Sequence, residues 1–229
     1  QPYSPAAGSG LSSHELNQPG AYREISDTSV IAQFKCINDN KSDKFNGMFP
    51  FYFLAWTTTP WTLPSNTALT LGAKIEYSFV KTFNQYTREK ITVVLATSLI
   101  EKVFTKNFFI VKEESKLSLF KESDAKIPYY VVNSFKGFEF ENLRYERIWD
   151  EAPLPIDNPE NAFRVILGDF VTTDDGTGIV HTAPTFGADD YKAAKSAKPQ
   201  VPPLLVPDKN GNKVPLVDLK GKFIDDIGM

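Results

Sequence analysis

The sequence predicts an α/β chain dominated by mixed or antiparallel strands, and three observations carry that prediction. Short runs rich in Val, Ile, Phe and Tyr recur between turn residues. Two of them, 75–81 and 91–95, read as a hairpin around a polar turn at 84–89. Helical spacing is confined to a few stretches such as 97–104, which opens on a hydroxyl residue, and 187–197, which places two acids in its first turn. With 229 residues, 41% hydrophobic and 13% aromatic, the chain can bury one substantial core, or a core with appended subdomains.

Residues 1–28 read as an irregular lead-in, since Gly8, Ser9, Gly10, Pro19 and Gly20 interrupt any period. His14 falls there and is taken as structural or surface. The core is expected over 29–198, beginning with a strand at 30–37, a polar loop at 38–46 and a second strand at 48–57. Further strands are expected at 108–112 and 129–135, on either side of a solvated Lys/Glu/Ser-rich stretch. A loop and turn follow at 137–145. Pro153, Pro155 and Pro159 mark a surface excursion before a strand at 163–167, and small residues open another at 176–182. Residues 199–229 form a Pro/Lys-rich tail whose Asp208-Lys209-Asn210-Gly211-Asn212-Lys213 run signals a hairpin turn. All of this reads as a single unit without internal repeats.

Composition narrows the function. The net charge of −3 argues against a broad grip on a nucleic-acid backbone, which needs many uncompensated cations. An RNA end can still be held by a few basic and aromatic side chains, for which Lys81, Arg88, Arg144, Tyr145 and Arg147 are candidates; ordinary surface roles are the alternative. The single cysteine, Cys36, rules out an internal disulfide and reads as a half-buried strand residue. One Cys and two His are too few soft ligands for a structural zinc site, so no metal is expected. No apolar run approaches membrane-spanning length, and a cytoplasmic protein without membrane contact is expected.

Two stretches carry the chemistry. The first, WTTTPWTLPSN at 56–66, crowds hydroxyls between two tryptophans and two prolines directly after the apolar run 51–55. Each proline fixes its φ and removes a donor, so the segment leaving the strand is a stiff polar shelf. The second, DGTGIVHTAPTFGADDY at 175–191, brings together a glycine-flanked strand, His181 and the acids Asp189 and Asp190. By composition alone the shelf is a turn, His181 a satisfied core histidine, and the two acids a favourable helix N-terminus.

Together, in this order, the two stretches resemble the signature of the editing domain inserted into class I aminoacyl-tRNA synthetases for branched aliphatic amino acids. The first is worded like the isoleucyl members; valyl and leucyl members typically carry an arginine where Thr59 stands and an acidic residue where Trp61 stands. The resemblance covers most of the chain, including the opening Tyr3-Ser4-Pro5-Ala6 and Leu11-Ser12-Ser13-His14-Glu15, which are similar to bacterial-type members. It implies a barrel-like β core with peripheral helices. The implied activity is hydrolysis of the ester in valine-charged tRNA(Ile), within a parent enzyme that joins isoleucine to tRNA using ATP and Mg.

The resemblance assigns roles by position. Thr57, Thr58 and Thr59 surround the substrate carbonyl and terminal ribose, where hydroxyls can orient water. Asp190 anchors the substrate ammonium and counts with them as catalytic. His181 lines the amino-acid pocket and excludes the larger side chain, and Asn66 makes a ribose-side or backbone contact. Trp56 and Trp61 are read as core packing or as supports of the shelf, not as ligands. The implied partners are the acylated 3′ end of tRNA(Ile) and the remainder of the synthetase, with no cofactor in this segment and a monomeric state. Neither an HIGH-type nor a KMSKS-type motif is present, and no G-x-x-x-x-G-K loop, so the chain alone is not expected to activate an amino acid.

Two other readings stand beside this one. The segment could dock the tRNA 3′ end without catalysis. A serine esterase built on Ser65, His181 and an aspartate has the residue types, but no G-x-S-x-G elbow surrounds Ser65.

Overall fold

The structure, a computed structural model, describes residues 3–4, 9–10, 12–20, 28–39, 41–218 and 221–224. Within the lead-in, β1 (Tyr3–Ser4) pairs antiparallel with β2 (Ser9–Gly10), and α1 (Ser13–Leu16) makes a single helical turn. These short elements correct the expectation of a wholly irregular lead-in; residues 1–2, 5–8, 11 and 21–27 lie outside the described set. His14 is exposed, with its Nε2 2.9 Å from the Gln18 amide.

The main sheet contains nine strands among the described residues. They are β3 (Val30–Lys35), β4 (Phe51–Thr57), β5 (Ala68–Leu71), β6 (Glu76–Phe83), β7 (Lys90–Ala96), β8 (Phe108–Ile110), β9 (Ile127–Lys136), β10 (Arg164–Leu167) and β11 (Ile179–Thr182). Their order is β10-β5-β11-β4-β7-β6-β9-β8, with β3 on the other edge of β4. Pairing is mixed: β6 and β7 form the expected antiparallel hairpin, whereas β4 runs parallel to both β7 and β11.

Part of this sheet closes on itself. Cys36, just past β3, bridges to Tyr145, and Arg144 bridges to Arg164 of β10. The path β3-β4-β11-β5-β10 is thereby joined back to β3, giving the core its barrel-like character. Cys36 is buried at this junction, where desolvation raises its thiol pKa and keeps it protonated.

Side chains alternate across the strands, so the sheet buries both faces. Phe51, Phe53, Tyr77, Phe79 and Val94 point into the larger cluster, and Leu54, Val80, Val93 and Leu95 into a second one covered by α2 (Ile100–Val103) and Phe104. Phe45 corrects the expected polar loop at 38–46. It sits on a 3-10 turn, Asp43–Met48, is 1% exposed, and stacks on Phe140 at 4.9 Å while meeting Phe79 at 5.4 Å. One aromatic in a polar run leaves no periodic signal, yet its burial closes the core.

Three boundaries move for identifiable reasons. β4 begins at Phe51, because Pro50 has no N–H to give the ladder. The shelf after it winds into a 3-10 helix, Pro60–Ser65, with proline at its start. β11 begins at Ile179, after Gly176 and Gly178 at φ of +73° and +72°. A Cβ on Gly178 would stand 2.4 Å from the Ala96 methyl, so this turn admits no side chain there.

After β11, α3 (Ala188–Ser196) packs Ala193 and Ala194 against Ala68 and Ile166. The tail folds into a hairpin of β12 (Leu205–Pro207) and β13 (Lys213–Pro215), whose turn is held by Asp208 accepting from Asn210 and Asn212 N–H, each at 2.8 Å. No helix among the described residues is long and apolar enough to cross a membrane.

Candidate active site

The two signature stretches, more than a hundred residues apart in sequence, meet at the carboxyl ends of neighbouring parallel strands. Val180 of β11 pairs with Trp56 of β4, which sets Thr57 beside His181. Chains diverge after such strand ends and leave backbone and side chains free to meet a ligand.

Beyond β4 the threonines build a local network. The Thr59 N–H donates to Thr57 Oγ1 at 3.0 Å, and the two hydroxyls stand 3.3 Å apart. The 3-10 turn then brings Thr62 round, so that its hydroxyl donates to the Thr59 carbonyl at 2.8 Å and lies 3.0 Å from His181 Nε2. Thr57 and Thr62 are buried, whereas Thr58 and Thr59 are exposed, so the shelf has a buried root and an open rim.

His181 shares a strand face with Ile179 and points into the closed part of the core. Its Nδ1 lies 2.8 Å from the Asn66 amide nitrogen, and the Asn66 side-chain oxygen accepts from the Tyr145 hydroxyl at 2.6 Å. Both ring nitrogens are engaged, and burial lowers the imidazole pKa from 6.5 to about 4. His181 is therefore neutral at physiological pH. Because the folded value is the depressed one, the associated stability is complete above pH 6.5 and is lost as pH falls through 4. We expect this single group to make the chain about 3 kcal/mol less stable at pH 3.5 than at pH 7, read from paired urea titrations.

Asp190 is held by α3. Its Oδ2 accepts from the Ala183 N–H at 2.9 Å, two residues beyond His181. A Cβ on Gly187 would stand 2.8 Å from the Asp190 carboxyl carbon, so the bare glycine makes room for the acid. Burial raises the Asp190 pKa, Asp189 raises it further, and the Ala183 N–H opposes them. Asp189 is exposed and pairs with Lys192 at 3.2 Å, an ordinary surface contact.

Several expectations need correction. Asn66 is buried and its amide nitrogen also donates to the Ala68 carbonyl at 2.8 Å. Its polar atoms bond to His181, Ala68 and Tyr145, so within the chain it makes a backbone contact and supports His181. Tyr145 is 1% exposed, so its ring is closed to stacking, and Arg144 binds the carbonyls of Glu160 and Ala162. Arg147 binds the Ala152 carbonyl and lies over the Phe163 ring, Arg88 lies over Phe120, and Lys81 pairs with Glu114 at 2.7 Å. Ser65 is fully buried and its hydroxyl has no hydrogen-bond partner, so no base activates it and the serine-esterase reading fails. Trp56 lies over Gly176 as a support, whereas Trp61 is half exposed beside Gly221. Sequence reasoning missed Thr62; its place three residues after Thr59, on one turn of a 3-10 helix, was the available signal.

No protein-family model matches the chain. Isoleucine–tRNA ligase of Bacteroides fragilis is 54% identical over 224 residues, covering 97% of the chain and 18% of that protein. That of Cytophaga hutchinsonii is 50% identical over 230 residues, covering 99% of the chain and 19% of the relative. The chain belongs to the isoleucine–tRNA ligase family. It spans under a fifth of the length of these ligases. In fold, it is similar to the editing domain of the P. knowlesi cytosolic leucyl-tRNA synthetase, with a TM-score of 0.53 at 13% identity over 75% of this chain and 63% of that one. The ligase segment thus has the mixed sheet with peripheral helices expected from its sequence.

Proposed function

We propose that the chain is the proofreading domain of an isoleucine–tRNA ligase and hydrolyses the ester of valine misattached to tRNA(Ile). The observation that carries this reading is the pairing of β4 with β11, which sets the root of the Thr57–Thr59 shelf beside a neutral His181, with Asp190 bonded to the backbone N–H two residues past that histidine. Isoleucine and valine differ by one methylene, which a hydrophobic pocket discriminates by only about 1–3 kcal/mol, a limit for which isoleucyl-tRNA synthetase is itself the standard illustration. A second site that accepts the smaller side chain supplies the missing selectivity.

On this reading Asp190 binds the substrate ammonium, and the shelf hydroxyls of Thr57, Thr58 and Thr59 hold the ribose and a water. The water adds to the ester carbonyl carbon, the bond to the ribose oxygen breaks, and that oxygen takes up a proton, releasing valine and tRNA. His181 has both nitrogens occupied, so it offers the ligand a ring edge and acts as a wall instead of a base. Being neutral, it does not oppose the ammonium. Hydrolysis needs only positioned water, so this segment is assigned no cofactor; ATP and Mg belong to the synthetic site elsewhere in a cytoplasmic, monomeric ligase.

For the RNA end, a groove of about 290 Å³ beside α3 is a better candidate than the cations picked from sequence. Tyr191 lines it, half exposed with the Lys195 ammonium 5.6 Å from its ring centre, one residue from Asp190. The test is deacylation by the purified chain, with release of valine from Val-tRNA(Ile) and sparing of Ile-tRNA(Ile) as the expected result. Binding of both without hydrolysis would favour the docking alternative.

A further inference from the structure

Which nitrogen of His181 carries the ring proton follows from one fixed point in the fold. The Ala68 carbonyl stands at the start of β5 and, as a backbone carbonyl, can only accept. The Asn66 side chain approaches it to 2.8 Å, so the end of the amide that faces Ala68 is the NH2 group. One of its protons goes to that carbonyl and the other faces His181 Nδ1 at 2.8 Å. An amide NH2 group donates and does not accept, so Nδ1 is the unprotonated nitrogen. The imidazole proton then sits on Nε2 and is donated to the Thr62 hydroxyl at 3.0 Å, whose own proton goes to the Thr59 carbonyl at 2.8 Å. Carbonyls close the series at both ends. The Tyr145 hydroxyl meets the Asn66 oxygen at 2.6 Å, but a hydroxyl would satisfy either end of the amide and does not set the order.

We infer that Asn66 is a positioning residue that holds His181 in the Nε2–H tautomer and occupies its one lone pair, so that the imidazole donates to the shelf and cannot act as its base. A carboxylate in the same place would do the opposite. It would accept from Nδ1–H and turn the Nε2 lone pair toward the hydroxyl, which is the carboxylate, imidazole, hydroxyl order that makes a histidine a general base. Asn66 has the shape of that carboxylate with the polarity reversed. Its backbone keeps it there, because its own N–H donates to the Leu63 carbonyl at 3.0 Å where the 3-10 turn ends and β5 is about to begin. Asn66, His181 and Thr62 are all buried, so each relies on the partners named here.

That the shelf works without a base rests on the proofreading reading, but the tautomer is measured in the absence of tRNA, so the two can fail separately. The chain has only two histidines, and exposed His14 serves as the internal reference for nitrogen-15 spectra of the imidazoles in the full 229-residue chain. The wild-type chain at pH 7 is expected to show His181 as the Nε2–H tautomer alone. Asn66→Asp keeps the size of the side chain and is expected to move a proton onto Nδ1. Tyr145→Phe is expected to leave the Nε2–H form unchanged, since the Ala68 carbonyl still orients the amide. A wild-type Nδ1–H tautomer would overturn the inference even if Asn66→Asp does not fold. So would a folded Asn66→Asp chain whose Nδ1 stays unprotonated, or a folded Tyr145→Phe chain in which the tautomer changes.

Discussion

Asp190→Asn is expected to give a folded chain that binds but barely hydrolyses Val-tRNA(Ile). Removing one partner of a desolvated charge pair costs about 2–5 kcal/mol, which corresponds to a loss of about thirtyfold to a few thousandfold in kcat/KM. The fold should not suffer, because asparagine keeps an oxygen for the Ala183 N–H. The sign of the linkage points the same way. The Asp190 pKa is raised by burial, so its charged form is disfavoured in the folded chain, and stability from this group falls as pH rises past the ordinary carboxylate range. A neutral amide is relieved of that cost, so Tm at pH 7 should be equal to or above wild type. Wild-type deacylation should in turn fade in acid at a pH above the ordinary range for aspartate, as the anchor is protonated. Undiminished hydrolysis by Asp190→Asn would remove the residue from the mechanism.

His181→Ala should change which ester is cut. If the imidazole edge is the wall, its removal opens space for the extra methylene of isoleucine and erases about 1–3 kcal/mol of discrimination, so that Ile-tRNA(Ile) is deacylated as well. Stability is also expected to fall, because Asn66 and Thr62 lose a buried partner, at about 1–3 kcal/mol for each polar group left unpaired. Continued sparing of the isoleucyl ester by a folded variant would mean that another side chain sets the size limit. The acid step in stability assigned to His181 should vanish in the same variant, which links the two measurements.

Much of the sheet was legible because its cause is local. Alternation in 75–81 and 91–95 gave the β6–β7 hairpin, and the Asp208 to Lys213 run marked the turn between β12 and β13. What escaped is what depends on residues distant in sequence. Phe45 looks like a stray aromatic in a polar loop until Phe51, Phe79, Phe135 and Phe140 are placed round it. Tyr145, beside two arginines, reads as an RNA contact by composition; its burial and its bond to Asn66 show that it faces inward. Asn66 carries a signature position without exposing a polar atom to a ligand, since the motif fixes the residue and not whether it touches the substrate or something that does. Asp190 and Thr57 carry signature positions too, and their local bonds, to the Ala183 N–H and the Thr59 N–H, are what the fold adds to the motif.

The ring of strands also bears on how fine a distinction the domain can make. A gauge sorts two parts only if its own slack is smaller than their difference, and on the proposed proofreading function that difference is one carbon. β4 and β11 each have bonded neighbours along both edges, and sliding either by one residue would turn every side chain, His181 included, to the opposite face. On that proposal the sheet holds its jaws at a set width, and parting the seam at Cys36 and Tyr145 would cost selectivity.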